Sequence, residues 1–202
     1  MHKLHYFAVP GRAEVARLCL TFGGIPFEDI HYTGQTYPEA KAKMPFGQVP
    51  VLELPDGRML AQSGAIDRYA AKLAGLYPED PLEAAFAAYA VFLLSELMDR
   101  SLGRWPPLHN RGLRRRAATA GRVETTASSG GYVAGGKLSF ADLSIFTIAC
   151  TMTSGIFDGV PKTLLSEYPA LKVFRDKIAS EPNVKAYYEK HGEGMRAAFK
   201  PE

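Results

Sequence analysis

The spacing of apolar positions changes along the chain. At the start it is short and alternating: His2–Phe7 (HKLHYF) reads as a strand. Residues 13–22 then carry apolar side chains three and four apart, which predicts an amphipathic helix. Gly23-Gly24 stops it. Phe27–Tyr32 reads as a second strand, and 33–45, rich in Gly, Pro and Lys, as an irregular connection. Residues 49–53 and 58–61 read as two strands joined by a turn at Pro55-Asp56-Gly57. From Ser63 a helix carries Ala65, Ile66, Tyr69, Ala70 and Leu73 on one apolar face. The order β-α-β, β-β-α predicts a small mixed sheet with helices packed on it.

After Leu76 the alternation ends. YPEDPL at 77–82 has the prolines and turn residues of a linker. Helical spacing follows at 83–99, at 111–126 with a basic face, at 168–180 and at 184–189. Residues 140–154 are almost all apolar and predict the central buried helix of this half. The fold class is therefore α/β plus all-α: a sheet-containing domain over 1–76, a linker over 77–82 and an all-helical domain over 83–202.

Composition narrows the function. Hydrophobic residues make up 47% and charged residues 22% of the 202, a globular balance. A net charge of +3 is too small to imply a nucleic-acid partner. RGLRRR at 111–116 concentrates four arginines, which on an amphipathic helix form a solvated face. No apolar run spans a bilayer and the N-terminus lacks an apolar signal segment, so membrane insertion is not expected and the location is expected to be cytoplasmic. Cys19 and Cys150 each fall inside an apolar helical pattern and read as buried thiols. Thioredoxin-type redox chemistry needs a reactive cysteine at the start of the first helix, where this chain has VPGR.

Two features of the hairpin at 44–71 carry chemistry. Pro50 interrupts an apolar run; proline in a sheet belongs at an edge or a bend. A cis Val49-Pro50 bond would turn the Val49 N–H and C=O away from the sheet, where they can pair with an extended peptide. Gln62-Ser63 then opens a helix. Ser63 reads as its N-cap, and a hydroxyl beside free helical N–H groups forms a carboxylate-binding nook.

Tyr6 in LHYFAVPGRAE, YPEAK at 37–41, PFGQVPVLE at 45–53, QSGAIDRYAA at 62–71 and SFADLSIF at 139–146 together resemble the cytosolic glutathione S-transferases, the sigma class most closely. The resemblance covers nearly the whole chain. It implies a thioredoxin-like N-terminal domain, a helical-bundle C-terminal domain, a homodimer, glutathione as co-substrate with no cofactor or metal, and an apolar electrophile as second substrate. It implies that Val49 bonds the cysteinyl backbone beside Pro50, that Gln62 and Ser63 take the γ-glutamyl carboxylate, and that Tyr37 and Lys41 face the glycyl end with Gln48 nearby. Tyr6 would donate a hydrogen bond to the sulfur and Arg12 would add positive potential. Glu96, with Asp99 close by, stands where an acid from the partner subunit reaches the ligand. The electrophile pocket between the domains would be walled by Phe7, Val9, Met98, Arg104, Trp105, Ser144 and Ile148. The resemblance also admits a non-catalytic relative, a crystallin-like structural protein or ligand carrier.

Overall fold

The computed structural model describes residues 1–101, 131–134, 136–156 and 160–201, with 93–101 described by backbone alone. Two compact units divide the chain, Met1–Leu76 and Tyr77–Glu202. The expected helix at 111–126, together with Arg104 and Trp105, lies outside the described residues, as do the side chains of Glu96, Met98 and Asp99.

The first unit runs β1 (His2–Phe7), α1 (Glu14–Phe22), β2 (Phe27–Tyr32), α2 (Tyr37–Lys41), β3 (Val51–Glu53), β4 (Met59–Ala61) and α3 (Ser63–Leu73). The sheet order is β2-β1-β3-β4. β1 and β2 are parallel, which requires a crossover, and α1 supplies it. The other two pairings are antiparallel. His5 lies opposite Val51, and Val51 joins Ala40 and Met44 in a core cluster that Tyr32, Val49 and Ala61 pack against. That cluster covers one face of the sheet. Strand alternation sends Leu4, Tyr6 and Leu52 to the other, where α1 and α3 pack on each other.

Several boundaries differ from expectation: β3 begins at Val51 rather than 49, and α4 begins at Pro81, inside the expected linker. The first helix begins at Glu14, after a 3-10 turn at Gly11–Ala13 in which Gly11 has φ +48°. The stretch 33–45 is not wholly irregular, because it holds α2. There the Thr33 and Thr36 hydroxyls accept each other's backbone N–H, and Pro38 stands in the first turn. Five residues are too few to show a helical period.

The second unit contains α4 (Pro81–Ser101), α5 (Phe140–Thr153), a 3-10 turn at Leu164–Glu167, α6 (Pro169–Ala179), α7 (Pro182–His191) and a 3-10 turn at Gly194–Phe199. α5 is buried on nearly all sides and packs against α4 and α6. Its start is held by a capping box. Asp142 accepts the Ser139 N–H and hydroxyl, and also the Val133 N–H from the preceding loop. Phe146, Tyr188 and Phe199 bring α5, α7 and the final turn together, with ring centres 5.0–6.0 Å apart. The buried Arg175 on α6 donates to the carbonyls of Ala198 and Lys200 and to Asp176. α4 is two-faced: Ala87, Ala90 and Val91 are buried, whereas Leu82, Phe86 and Tyr89 remain 64, 46 and 58% exposed.

Both cysteines are buried free thiols. Burial, with the Asp67 carboxyl as a smaller cause, pushes the Cys19 thiol well above its ordinary range. Asp67 on α3 is itself buried and Oδ1 has no hydrogen-bond partner; burial holds this carboxyl well above the usual carboxylate range. The neutral acid is therefore the form that favours folding. Its contribution is present at acid pH and lost as pH rises through the raised value. Asp67→Asn, which stays neutral, is expected to stabilise the chain at neutral pH by about 1 kcal/mol or more. In thermal unfolding followed against pH, that gain shrinks toward the ordinary carboxylate range and disappears below it.

Candidate functional site

Tyr6 is the penultimate residue of β1, just before the chain turns toward α1. Its side chain is mostly buried, and its oxygen accepts the backbone N–H of Arg12 at 3.2 Å. A phenol that accepts one bond still has its own proton to donate. The approach is close: a Cβ added to Gly11 would lie 2.6 Å from the Tyr6 oxygen, so this position takes glycine for its φ and for space. Phe7 packs edge-on against Tyr6 at 5.5 Å and against Tyr37 at 5.1 Å. Val9 is half-buried in the same turn.

The Tyr37 hydroxyl donates to the Gly47 carbonyl at 3.0 Å, tying the first turn of α2 to the loop before β3. The Lys41 stem runs over Gly47, whose φ is +60°. Gln48 follows, exposed, and then the Val49-Pro50 bond, which is cis. Among the described residues no backbone group pairs with the Val49 N–H or C=O. Thus Tyr6, Phe7, Tyr37, Lys41 and the 47–50 loop gather at one end of the sheet.

Gln62 and Ser63 reach the same end through strand register. Val51 pairs with Ala61, so Pro50 and Val49 fall opposite Gln62 and Ser63 if the ladder is continued. Here the expected cap is corrected. Gln62, not Ser63, occupies the N-cap: its carbonyl accepts the Ile66 N–H, and Ser63 is the first helical residue. Gln62 has φ +71° and ψ +114°, in a region that a side chain rarely adopts, and no side chain caps the helix. The Ala65 and Ile66 N–H groups both donate to the Gln62 carbonyl, and the Ser63 and Gly64 N–H groups ahead of them, with no side-chain cap, form a helix start suited to an anion.

The two residues expected from α5 are placed differently from each other. Ser144 is buried and its hydroxyl donates to the Phe140 carbonyl at 2.7 Å. Ile148 is half-buried and packs on Met152, Val160 and Leu164. Sequence reasoning missed Arg17, whose side chain is closed off beneath the Phe7–Gly11 turn and bonded to Glu14 and Asp29. The signal was a charged residue inside the apolar stripe of α1, three positions after an acid. Among the described residues no cluster of three or more metal-binding side chains occurs, and no helix is long and apolar enough to cross a membrane.

Comparison with known proteins gives a consistent picture. Residues 2–72 match the family model for the glutathione S-transferase N-terminal domain, and residues 114–191 match one for the C-terminal domain. The chain is 30% identical over 199 residues to hematopoietic prostaglandin D synthase of Gallus gallus, covering 94% of this chain and 96% of that one. It is 33% identical over 214 residues to glutathione S-transferase P of Caenorhabditis elegans, covering 98% and 95%. The solved glutathione S-transferase of Ascaris lumbricoides superposes with a TM-score of 0.81 at 27% identity, covering 96% and 99%.

Because glycine adopts the Gln62 backbone angles without strain, Gln62→Gly is expected to raise folding stability by about 1 kcal/mol. Chemical denaturation checks this; an unchanged or lower midpoint would show that the strain is not there.

Proposed function

The chain belongs to the glutathione S-transferase family, and on that footing we propose that Tyr6 activates glutathione for attack on apolar electrophiles. Glutathione has a carboxylate at each end, a peptide backbone between them and one thiol. The Ser63 and Gly64 N–H groups at the start of α3, with Gln62, suit the γ-glutamyl carboxylate. The unpaired Val49 amide and carbonyl suit the cysteinyl backbone, and Lys41 beside Tyr37 suits the glycyl carboxylate. Each partner in this reading supplies a group that the chain itself leaves over.

The observation that carries the reading is the Arg12 N–H bonded to the Tyr6 oxygen. It orients the phenol and leaves its proton free for a sulfur anion. A free thiol has a pKa of about 8.5. Lowering it by two units asks for about 2.7 kcal/mol of selective anion stabilisation. One hydrogen bond to a charged acceptor contributes about 1.5–3 kcal/mol. Arg12, at the start of the helix, adds positive potential. Tyr6 need not take a proton: the thiol proton leaves to solvent, the sulfur bonds to the electrophilic carbon, and in aromatic substitution a halide departs. Enones and isothiocyanates accept the same attack by addition. Phe7 and Val9 supply apolar contact on the electrophile side, and proximity with exclusion of water does the remaining work.

Sigma-class membership is part of the proposal, supported by Arg12 in PGRAE and by likeness to hematopoietic prostaglandin D synthase. So is a cytoplasmic homodimer. Its support is the stripe Leu82, Phe86 and Tyr89 along the exposed face of α4, at the four- and three-residue spacing of a helix–helix contact.

Tyr6→Phe is expected to leave glutathione affinity nearly unchanged, to raise the thiol pKa in the complex, and to slow conjugation by on the order of tenfold to a thousandfold. A chloronitrobenzene substrate with varied glutathione separates these quantities. Glutathione binding without turnover in the unaltered protein is the result that overturns the enzymatic reading. Phe86→Glu with Tyr89→Glu is expected to halve the mass seen by sedimentation equilibrium.

A further inference from the structure

Arg17 has no part in the reaction above, yet it sits directly behind the phenol that performs it. Its side chain is wholly shielded from water. Nη1 donates to the carbonyls of Val9 at 2.9 Å and Pro10 at 3.2 Å and to Glu14 at 2.9 Å. Nη2 donates to the Phe7 carbonyl at 3.2 Å and to Asp29 at 3.3 Å, and Nε donates to Asp29 at 2.7 Å. The guanidinium carbon lies 5.8 Å from the centre of the Tyr6 ring. One planar fork therefore gathers three carbonyls of the turn that follows Tyr6, together with a carboxylate from α1 and another from β2.

Arg17 thus holds the Val9 carbonyl, which no backbone N–H among the described residues reaches, and the Pro10 carbonyl, at which the 3-10 turn Gly11–Ala13 opens. With those oxygens drawn inward, the chain arrives at Gly11 and Arg12 in one orientation, and the Arg12 N–H meets the Tyr6 oxygen. Gly11, at φ +48° and tight against that oxygen, leaves no slack. The geometry points to Arg17 as the positioning residue for the thiolate-stabilising phenol: it fixes the 7–11 turn so that the Arg12 amide holds the Tyr6 oxygen and the phenolic proton is left for sulfur. The inference rests on the role proposed for Tyr6. Lysine cannot replace the guanidinium, because a single ammonium cannot span three carbonyls and two carboxylates.

The test follows glutathione ionisation, by ultraviolet thiolate absorbance against pH, in the saturated complex of the full chain, together with kcat and KM. The proteins are the unaltered chain, Tyr6→Phe, Arg17→Lys and the double variant, each assayed in matched buffers. Arg17→Lys is expected to raise the bound thiol pKa and lower kcat at neutral pH by about tenfold, with KM for glutathione changed less than about threefold. Since Arg17 acts through Tyr6, its replacement is expected to cost almost nothing further when Tyr6→Phe is already in place. Asp29→Asn, which removes the more exposed of the two carboxylates, is expected to give the same pattern at smaller size and keeps the question open to measurement if Arg17→Lys does not fold. Equal losses with and without the Tyr6→Phe change, or an unshifted thiol titration in both Arg17→Lys and Asp29→Asn, overturn the positioning role. A Tyr6→Phe complex whose thiol titrates like the unaltered one overturns the Tyr6 reading instead, so the two failures are distinguishable.

Discussion

A guanidinium kept from water sets the course of the chain out of its first strand. Burying a charge is expensive and is tolerated only when partners surround it. Arg17 has two carboxylates and three carbonyls, and removal of one partner from such a group costs about 3–5 kcal/mol. The arrangement joins α1 to the parallel neighbour of β1 through Asp29 and to the turn through its carbonyls. Everything at that end of the sheet inherits its geometry: where Tyr6 stops, which amide meets it, and how Phe7 leans toward Tyr37.

The second half of the site obeys a different constraint. Strand register, rather than a salt bridge, brings the free main chain of Val49 near the start of α3. A slip of one residue would turn Val51 out of its cluster with Ala40 and Met44, so the core fixes the register and the register fixes the distance between the Val49 main chain and the start of α3. The strain at Gln62 is located where the chain must leave β4 and enter a helix within a single residue. The burial of neighbouring Ile66 and Ala70 holds that bend in place.

Much of this was legible in the residues. Alternation marks the strands, Gly23-Gly24 closes α1, and the almost wholly apolar run at 140–154 marks the buried α5. What stayed hidden depends on long-range partners or on backbone angles. Arg17 reads as one charge in an apolar stripe until Asp29 and the turn carbonyls are seen around it. Gln62 is chemically unsuited to its own backbone, so no local preference predicts it as the cap. α2 is too short for a period to emerge. Ser144 is expected in the pocket wall only through the family resemblance, and the bond from its hydroxyl to the Phe140 carbonyl, a contact one helical turn back, is not specified by the sequence.

The tie between Arg175 and the last residues has a practical side. Ala198 and Lys200 offer their carbonyls to a side chain seated within the helical unit, so residues 198–200 are stitched to its interior. Trimming those residues, or pulling on them with a fused partner, would strand a cation in a place built for it to be matched.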